Sequence, residues 1–164
     1  MQPALEFSAL VPQLAIAGPE IILAVGAMAL LMVGAFAGEK SSPLVTTLAI
    51  ALVALAGFWL LAFTPDGQAF NDGFILDPFA RLMKIAALIG SAAAILMSWS
   101  FARQEKFDRF EYPVLIVLAT TGMMLMISAN SLLSLYLGLE MQSLALYVIA
   151  AINRDNLRSS EARL

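Results

Sequence analysis

The run PLVTTLAIALVALAGFWLLAFT, residues 43–64, contains no charged residue from one end to the other. A helix of about 20 apolar residues crosses the roughly 30 Å hydrocarbon core of a bilayer, so this run is long enough to span a membrane. Lipid offers the backbone no hydrogen-bond partners, and a single spanning segment must therefore be helical. This stretch predicts a transmembrane helix and so sets the fold class.

Other apolar runs of similar length occupy most of the remaining chain. Together with the first, the predicted helices cover residues 18–38, 43–64, 76–100, 112–129 and 131–152. Prolines stand at or near the start of most of these runs, where a missing N–H costs little. The connections are short, so consecutive helices are expected to pack as neighbours. We predict an all-α, polytopic membrane bundle of five transmembrane helices, with residues 1–164 forming a single unit.

The composition agrees with a membrane protein. The chain is 61% hydrophobic, its mean hydropathy is +0.87, and its charged share of 13% is about half that of a soluble domain. The net charge of -3, without a basic patch, argues against nucleic acid as a partner. The chain has no cysteine and no histidine, which excludes disulfides, iron–sulfur clusters and thiolate or imidazole metal sites. Any chemistry must use carboxylates, lysine, hydroxyl groups and water.

The basic residues divide unequally between the two predicted sides of the membrane. One side receives Lys40, Arg103, Lys106, Arg109, Arg154, Arg158 and Arg163. The loops predicted on the other side, residues 1–17, 65–75 and 129–131, carry no lysine or arginine. The positive-inside rule then predicts an external N-terminus and a cytoplasmic C-terminus. Residues 1–17 also lack the basic start of a signal peptide, so the first helix is expected to be retained.

Glu140 is an isolated carboxylate near the middle of the fifth predicted helix. A charge at that depth costs about 2.5–3.5 kcal/mol on insertion scales, so the group is expected to take a proton or to face a polar, hydrated interior. Tyr136, Ser143 and Tyr147 lie at i−4, i+3 and i+7 and share its helical face. This stripe is typical of a proton relay. A buried, protonated glutamate that only bonds a neighbouring helix remains the alternative.

Lys84 lies several residues inside the third predicted helix and is the only remote candidate for the cation that a relay through Glu140 needs. Its ammonium group can instead reach the membrane interface by extending its side chain. It can also pair with Glu20, which opens the first helix on the same side. Nearby, Asp77 and Arg81 are expected to pair one helical turn apart.

The stretch SANSLLSLYLGLEMQSLALYVIAAINRDNLRSSEA, residues 128–162, closely resembles the subunit N family of bacterial NADH–quinone oxidoreductase, respiratory complex I. GPEIILAVGAMALLM at 18–32 and DPFARLMK at 77–84 resemble the same family. The resemblance implies an antiporter-like subunit in which inverted helical repeats form two proton half-channels. It matches Glu140 to a glutamate that pairs with a lysine of a later helix. Because the family continues beyond this point, the chain is expected to be the N-terminal portion of a larger subunit.

The resemblance also implies the setting in which the chain works. The chain would belong to a translocase, NADH:quinone oxidoreductase, without carrying out redox catalysis itself. It implies NADH, FMN, iron–sulfur clusters and quinone in partner subunits, no cofactor or metal in this chain, and other membrane subunits of complex I as partners in the bacterial cell inner membrane. Two alternatives stay open: a secondary cation/proton antiporter relative, and a structural membrane scaffold. The predicted proton-pathway residues are Glu140, Tyr136, Ser143, Tyr147 and Lys84.

Overall fold

The computed structural model describes residues 13–37, 42–105 and 110–152. After a helical turn at 13–16, this part of the chain forms α1 (Gly18–Ala37), α2 (Ser42–Ala62), β1 (Gly67–Ala69), β2 (Phe74–Leu76), α3 (Pro78–Glu105), α4 (Glu111–Ile127) and α5 (Leu132–Ile152). Four of the helices, α1, α2, α3 and α5, are long and apolar enough to cross a membrane, and the apolar α4 is shorter at 17 residues. The prediction of a mostly helical membrane bundle is confirmed.

The start of α3 shows how the sequence sets the helix ends. Pro78 is the first helical residue, where its fixed φ angle is compatible with the helix. Asp77 precedes it, and its Oδ1 accepts a hydrogen bond from the Ala80 N–H at 2.6 Å, which caps the helix. The expected pair between Asp77 and Arg81 is wrong, because Arg81 binds Asp66 Oδ1 instead, at 2.6 Å.

The central element of the bundle is α4. It packs against α1, α2, α3 and α5, and its side chains follow the helical repeat into the core. The buried set includes Val114, Val117, Thr121 and Met124. The Thr120 hydroxyl donates a hydrogen bond to Ser91 Oγ of α3 at 2.6 Å, so one polar bond joins two helices inside the bundle. The shortest helix is therefore the one that the others surround.

The outermost helix is α5, which packs on α4 through two glycines. A Cβ atom on Gly122 would lie 2.7 Å from Gln142 N and 2.8 Å from Gly138 O, so a side chain there would meet backbone. Glycine at such a crossing lets two helix backbones approach closely. The face of α5 that meets α4 also includes Ala145, which is buried. The opposite face of α5 is left at the surface of the described bundle.

A short β-hairpin closes one end of the bundle, where the sequence predicted only a loop. Between its antiparallel strands the turn takes a left-handed backbone at Phe70, Asn71 and Asp72, with φ of 55°, 57° and 65°. Asn130, in the α4–α5 connection, donates Nδ2–H to the carbonyl of Asp72 at 2.7 Å. The N–H of Ile75 donates to the carbonyl of Ser128 at 2.8 Å. The hairpin thus binds the α2–α3 connection to the α4–α5 connection.

Candidate functional site

Glu140 lies near the middle of α5 and is partly exposed. It is the only charged residue of that helix. Tyr136 lies one turn earlier on the same face, close enough for its hydroxyl to interact with that carboxylate. The structure therefore brings together two of the predicted site residues, a titratable acid and a hydroxyl that can both donate and accept a proton.

The predicted polar stripe is present, but it lies on the outside of the bundle. Tyr136 is 58% exposed and Tyr147 is 70% exposed, while Ser143 and Glu140 are partly exposed. At about 100° per residue, this face of α5 points away from the face that carries Gly138. The stripe is therefore uncovered within the described bundle, and its expected polar, hydrated interior stays a prediction.

The reason for this orientation lies in the size of the residues that meet α4. Gly138 and Ala145 leave room for the neighbouring backbone, so they decide which face of α5 is buried. The polar stripe is placed where that packing leaves it. A carboxylate in a membrane helix almost always faces the bundle interior or a water-filled cavity rather than lipid.

The described side chains offer Glu140 no basic partner. Arg81 and Lys84 are the only lysine or arginine residues whose side chains are described, and each already has a carboxylate. Arg81 pairs with Asp66, and Lys84 pairs with Glu20. The interpretation of Lys84 as the cation for Glu140 is therefore wrong in this structure, because its ammonium group is held by another acid.

Glu20 and Lys84 form a buried ion pair between the first turn of α1 and the second turn of α3. Lys84 Nζ lies 2.6 Å from Glu20 Oε1, and the two side chains are 0% and 4% exposed, respectively. The ring of Phe74, from β2, lies over the ammonium group with its centroid 4.7 Å from Nζ. The expected pair with Glu20 is present, and extension of Lys84 to the interface is excluded. No signal in the sequence pointed to Phe74.

An apolar groove of about 420 Å³ separates α3, α4 and α5 along part of their length. Its lining includes Gly90, Ile116, Met123 and Ile149. Few polar atoms face it, so it lacks the converging groups that would orient a polar cofactor. Among the residues that the structure describes, no three His, Cys, Asp or Glu side chains are grouped to hold a metal ion.

Comparison with known families gives a family model whose match includes this same helix. The family model described as NADH:quinone oxidoreductase/Mrp antiporter, TM, matches residues 129–164. That segment begins in the α4–α5 connection and contains all of α5, including Glu140. The part of the chain that carries the lone carboxylate is thus the part that the family model recognises.

Curated relatives extend the similarity to nearly the whole chain. NADH-quinone oxidoreductase subunit N 1 of Rhizobium meliloti (strain 1021) is 59% identical over 94% of this chain. The subunit N of Parvibaculum lavamentivorans is 53% identical over 94% of this chain, and that of Bartonella bacilliformis is 50% identical over 93%. The predicted resemblance to NADH-quinone oxidoreductase subunit N is confirmed. The matched segments are 32%, 32% and 31% of these subunit N relatives, so the chain spans about a third of their length.

Proposed function

We propose that this chain forms the first part of an antiporter-like membrane subunit of a proton-translocating NADH–quinone oxidoreductase, and that Glu140 handles protons in one of its half-channels. The similarity to subunit N relatives supports the assembly. The observation that carries the site is the position of Glu140, in the middle of an otherwise uncharged helix and without a basic partner among the described side chains.

The free-energy cost of a charge in lipid favours the packing of another protein segment on this face of α5. An isolated carboxylate facing hydrocarbon costs about 2.5–3.5 kcal/mol on insertion scales. We infer that later helices of a longer subunit pack on the stripe and supply the cation that neutralises Glu140. A nearby cation that moves or changes its charge would then change the protonation of Glu140, which is the property that a proton relay requires.

The neighbouring polar groups would extend the path along the helix. Tyr136 lies beside Glu140 one turn earlier, and Ser143 and Tyr147 continue the same face by one and two turns. Each hydroxyl can accept one proton while donating another, which suits transfer along a chain of side chains and water. Lys84 would belong to the pathway at the hairpin end of the bundle, apart from Glu140.

The proposal places the redox chemistry in other subunits. Without cysteine or histidine, this chain lacks the usual ligands of iron–sulfur clusters and haem. NADH, FMN, the iron–sulfur clusters and quinone would therefore bind to partner subunits, and the chain would contribute only to the translocase. Its partners would be the other membrane subunits of complex I in the bacterial inner membrane.

The test is proton uptake per NADH oxidised in inside-out membrane vesicles that carry the full-length subunit. Glu140→Gln preserves shape and hydrogen bonding but removes titration, and it is expected to lower proton pumping, by about 100-fold if transfer through this group is essential. Glu140→Asp keeps a titratable group about one methylene shorter and is expected to be milder.

The matched control is Asp66→Asn, which makes the same chemical change at an exposed carboxylate in the hairpin region. For this control we expect the same proton uptake per NADH oxidised as for the unmodified protein. If Glu140→Gln assembles normally and also pumps at the unmodified ratio and rate, Glu140 has no part in proton transfer and the chain acts as a scaffold.

A secondary cation/proton antiporter is the second candidate, because the family model that matches α5 covers Mrp antiporters as well. Copurification of the full-length subunit with NADH-oxidising subunits supports the first proposal. Proton movement driven by an ion gradient in liposomes, without those subunits, supports the antiporter. The isolated chain is expected to move no protons, because Glu140 lacks a basic partner among the described side chains.

We further propose five membrane spans, with the N-terminus outside and the C-terminus in the cytoplasm. The support is the predicted bias of lysine and arginine to one side of the membrane. Cysteine introduced at Gln68, in the hairpin, is expected to react with an impermeant label from outside. Cysteine at position 106, which lies outside the described residues, is expected to react only from inside. The reverse pattern would contradict this topology and the half-channel that depends on it.

A further inference from the structure

The end of the bundle beneath the hairpin contains a second titratable pair, remote in sequence from Glu140. Glu20 comes from α1, Lys84 from α3, and the two side chains are almost completely shielded from solvent. Phe74 of β2 lies over the ammonium group. Three separate elements therefore converge on one pair of opposite charges inside a membrane protein.

This pair leaves much of its hydrogen-bonding capacity unused. An ammonium group has three N–H donors, and a carboxylate has two acceptor oxygens with about four lone-pair sites. Within the described chain, Glu20 and Lys84 touch each other but bond to no further polar group. Ser128 Oγ, in the segment bonded to β2, is also buried without a hydrogen-bond partner among the described residues. Buried polar groups of this kind are normally satisfied by ordered water.

We propose that Glu20 and Lys84 form a hydrated proton-exchange site beneath the hairpin, distinct from Glu140. In the exchange, an N–H bond of the Lys84 ammonium breaks and an O–H bond forms on the Glu20 carboxylate, 2.6 Å away. The pair changes from ammonium and carboxylate to amine and carboxylic acid, with no change in net charge. Bound water then accepts a proton from the acid and returns one to the amine. The inference rests on the proposed function for the origin and destination of these protons.

The other charged groups described at this end of the bundle belong to the α2–α3 connection and the start of α3. Arg81, one turn before Lys84, is held by Asp66 and by the carbonyl of Thr64, at 2.6 and 2.7 Å. The acids Asp72 and Asp77 lie in the same α2–α3 connection. Helix α2 has no charged residue, and the single acids described in α4 and α5, Glu111 and Glu140, lie in the first turn and the middle of those helices.

A structural clamp between α1 and α3 would show the same ion pair, so the test must separate exchange from clamping. In the full-length subunit of the assembled complex, Glu20→Gln or Lys84→Met alone leaves a buried charge without its counterion, and each is expected to reduce assembly. The double variant Glu20→Gln/Lys84→Met removes both charges and is expected to assemble as the unmodified protein does.

Proton pumping by the double variant decides between the two roles. We expect proton uptake per NADH oxidised to fall by about tenfold or more, because neither substituted group can exchange a proton. Unmodified pumping by the well-assembled double variant would overturn the proposal and leave a clamp. The matched control Asp66→Asn/Arg81→Met removes the same two charges from the exposed pair at this end. It is expected to pump normally, and an equal loss there would also overturn the proposal.

A structural measurement keeps the proposal testable if the double variant does not assemble. A high-resolution map of the unmodified full-length subunit is expected to show ordered water within hydrogen-bonding distance of Glu20 and Lys84. A dry pair would overturn the proposal whatever the pumping result. Normal pumping by Glu140→Gln, combined with loss of pumping in Glu20→Gln/Lys84→Met, would remove Glu140 from the proposed function while supporting this second site.

Discussion

Two carboxylates in the helices of this bundle meet the same physical problem in opposite ways. Glu20 is 4% exposed and holds Lys84 at 2.6 Å, so its charge is neutralised within the described bundle. Glu140 lies on the outward face of α5, beside Tyr136 and without a basic partner among the described side chains. The difference follows from position, since Glu20 and Lys84 meet at one end of the bundle while one face of α5 is uncovered. A carboxylate in a membrane helix is therefore understood only together with what packs against it.

Removal of the buried acid is expected to have the largest effect on stability. Glu20→Gln leaves the ammonium of Lys84 fully buried without a counterion, and breaking a buried pair in this way costs about 3–5 kcal/mol. The measurement is the free energy of unfolding of the purified chain in detergent micelles. Asp66→Asn breaks the exposed pair with Arg81 and is expected to cost about 0–1 kcal/mol. Equal losses for the two variants would show that burial does not distinguish the pairs.

The α4–α5 crossing is expected to give an intermediate effect. Gly122→Ala places a methyl group 2.7 Å from Gln142 N, so the two backbones must separate at a cost of about 1–3 kcal/mol. Gly90→Ala is the matched control, because a Cβ atom there meets nothing within 4 Å, and better helix propensity is worth up to about 1 kcal/mol. The same unfolding measurement checks both. A stable Gly122→Ala variant would mean that α5 is not held by this contact.

Substitution of Glu140 is expected to change the free energy of unfolding least. Glu140→Gln loses a partly exposed charge, and surface changes of this kind usually alter the free energy of unfolding by less than about 0.5 kcal/mol. A loss above about 2 kcal/mol in the isolated chain would mean that Glu140 is already paired within it. Small destabilisation together with lost pumping in the full-length subunit would distinguish Glu140 from Glu20. Substitution of Glu20 is expected to lower the free energy of unfolding, whereas substitution of Glu140 is expected to lower pumping alone.

The helical part of the fold was predictable because its signals are local. Apolar runs of membrane-spanning length, with prolines at their starts, give helices whose ends lie within a few residues of those observed. The hairpin was missed because its strands have three residues each, too short for an alternating pattern. The run Asn71-Asp72-Gly73 contained a turn signal, since such residues tolerate a left-handed backbone.

The site was predictable in part. The pair of Glu20 and Lys84 could be suggested from the sequence, because the depth of each residue in the membrane can be counted from the start of its helix. The two helices start on the same predicted side, so the two residues were expected at similar depths. The orientation of the Glu140 stripe depends on the meeting of Gly122 with Gly138, and no single-helix pattern contains that information. Polar residues on one face indicate that something covers them, but they do not indicate which helix does so.

The crossing of Gly122 with Gly138 is a point about which α5 could tilt, and it lies two residues from Glu140 along the chain. From Gly138 to Ile152 the helix extends about 21 Å, so a tilt of about 10° about the crossing would carry its far end through about 4 Å. Glu140 Cα lies about 3 Å along the axis and about 5 Å across the helix from Gly138, so it would move by about 1 Å in the same tilt. The far end of α5 would therefore travel several times farther than Glu140, so the helix can move toward a neighbouring helix while the acid stays close to its position.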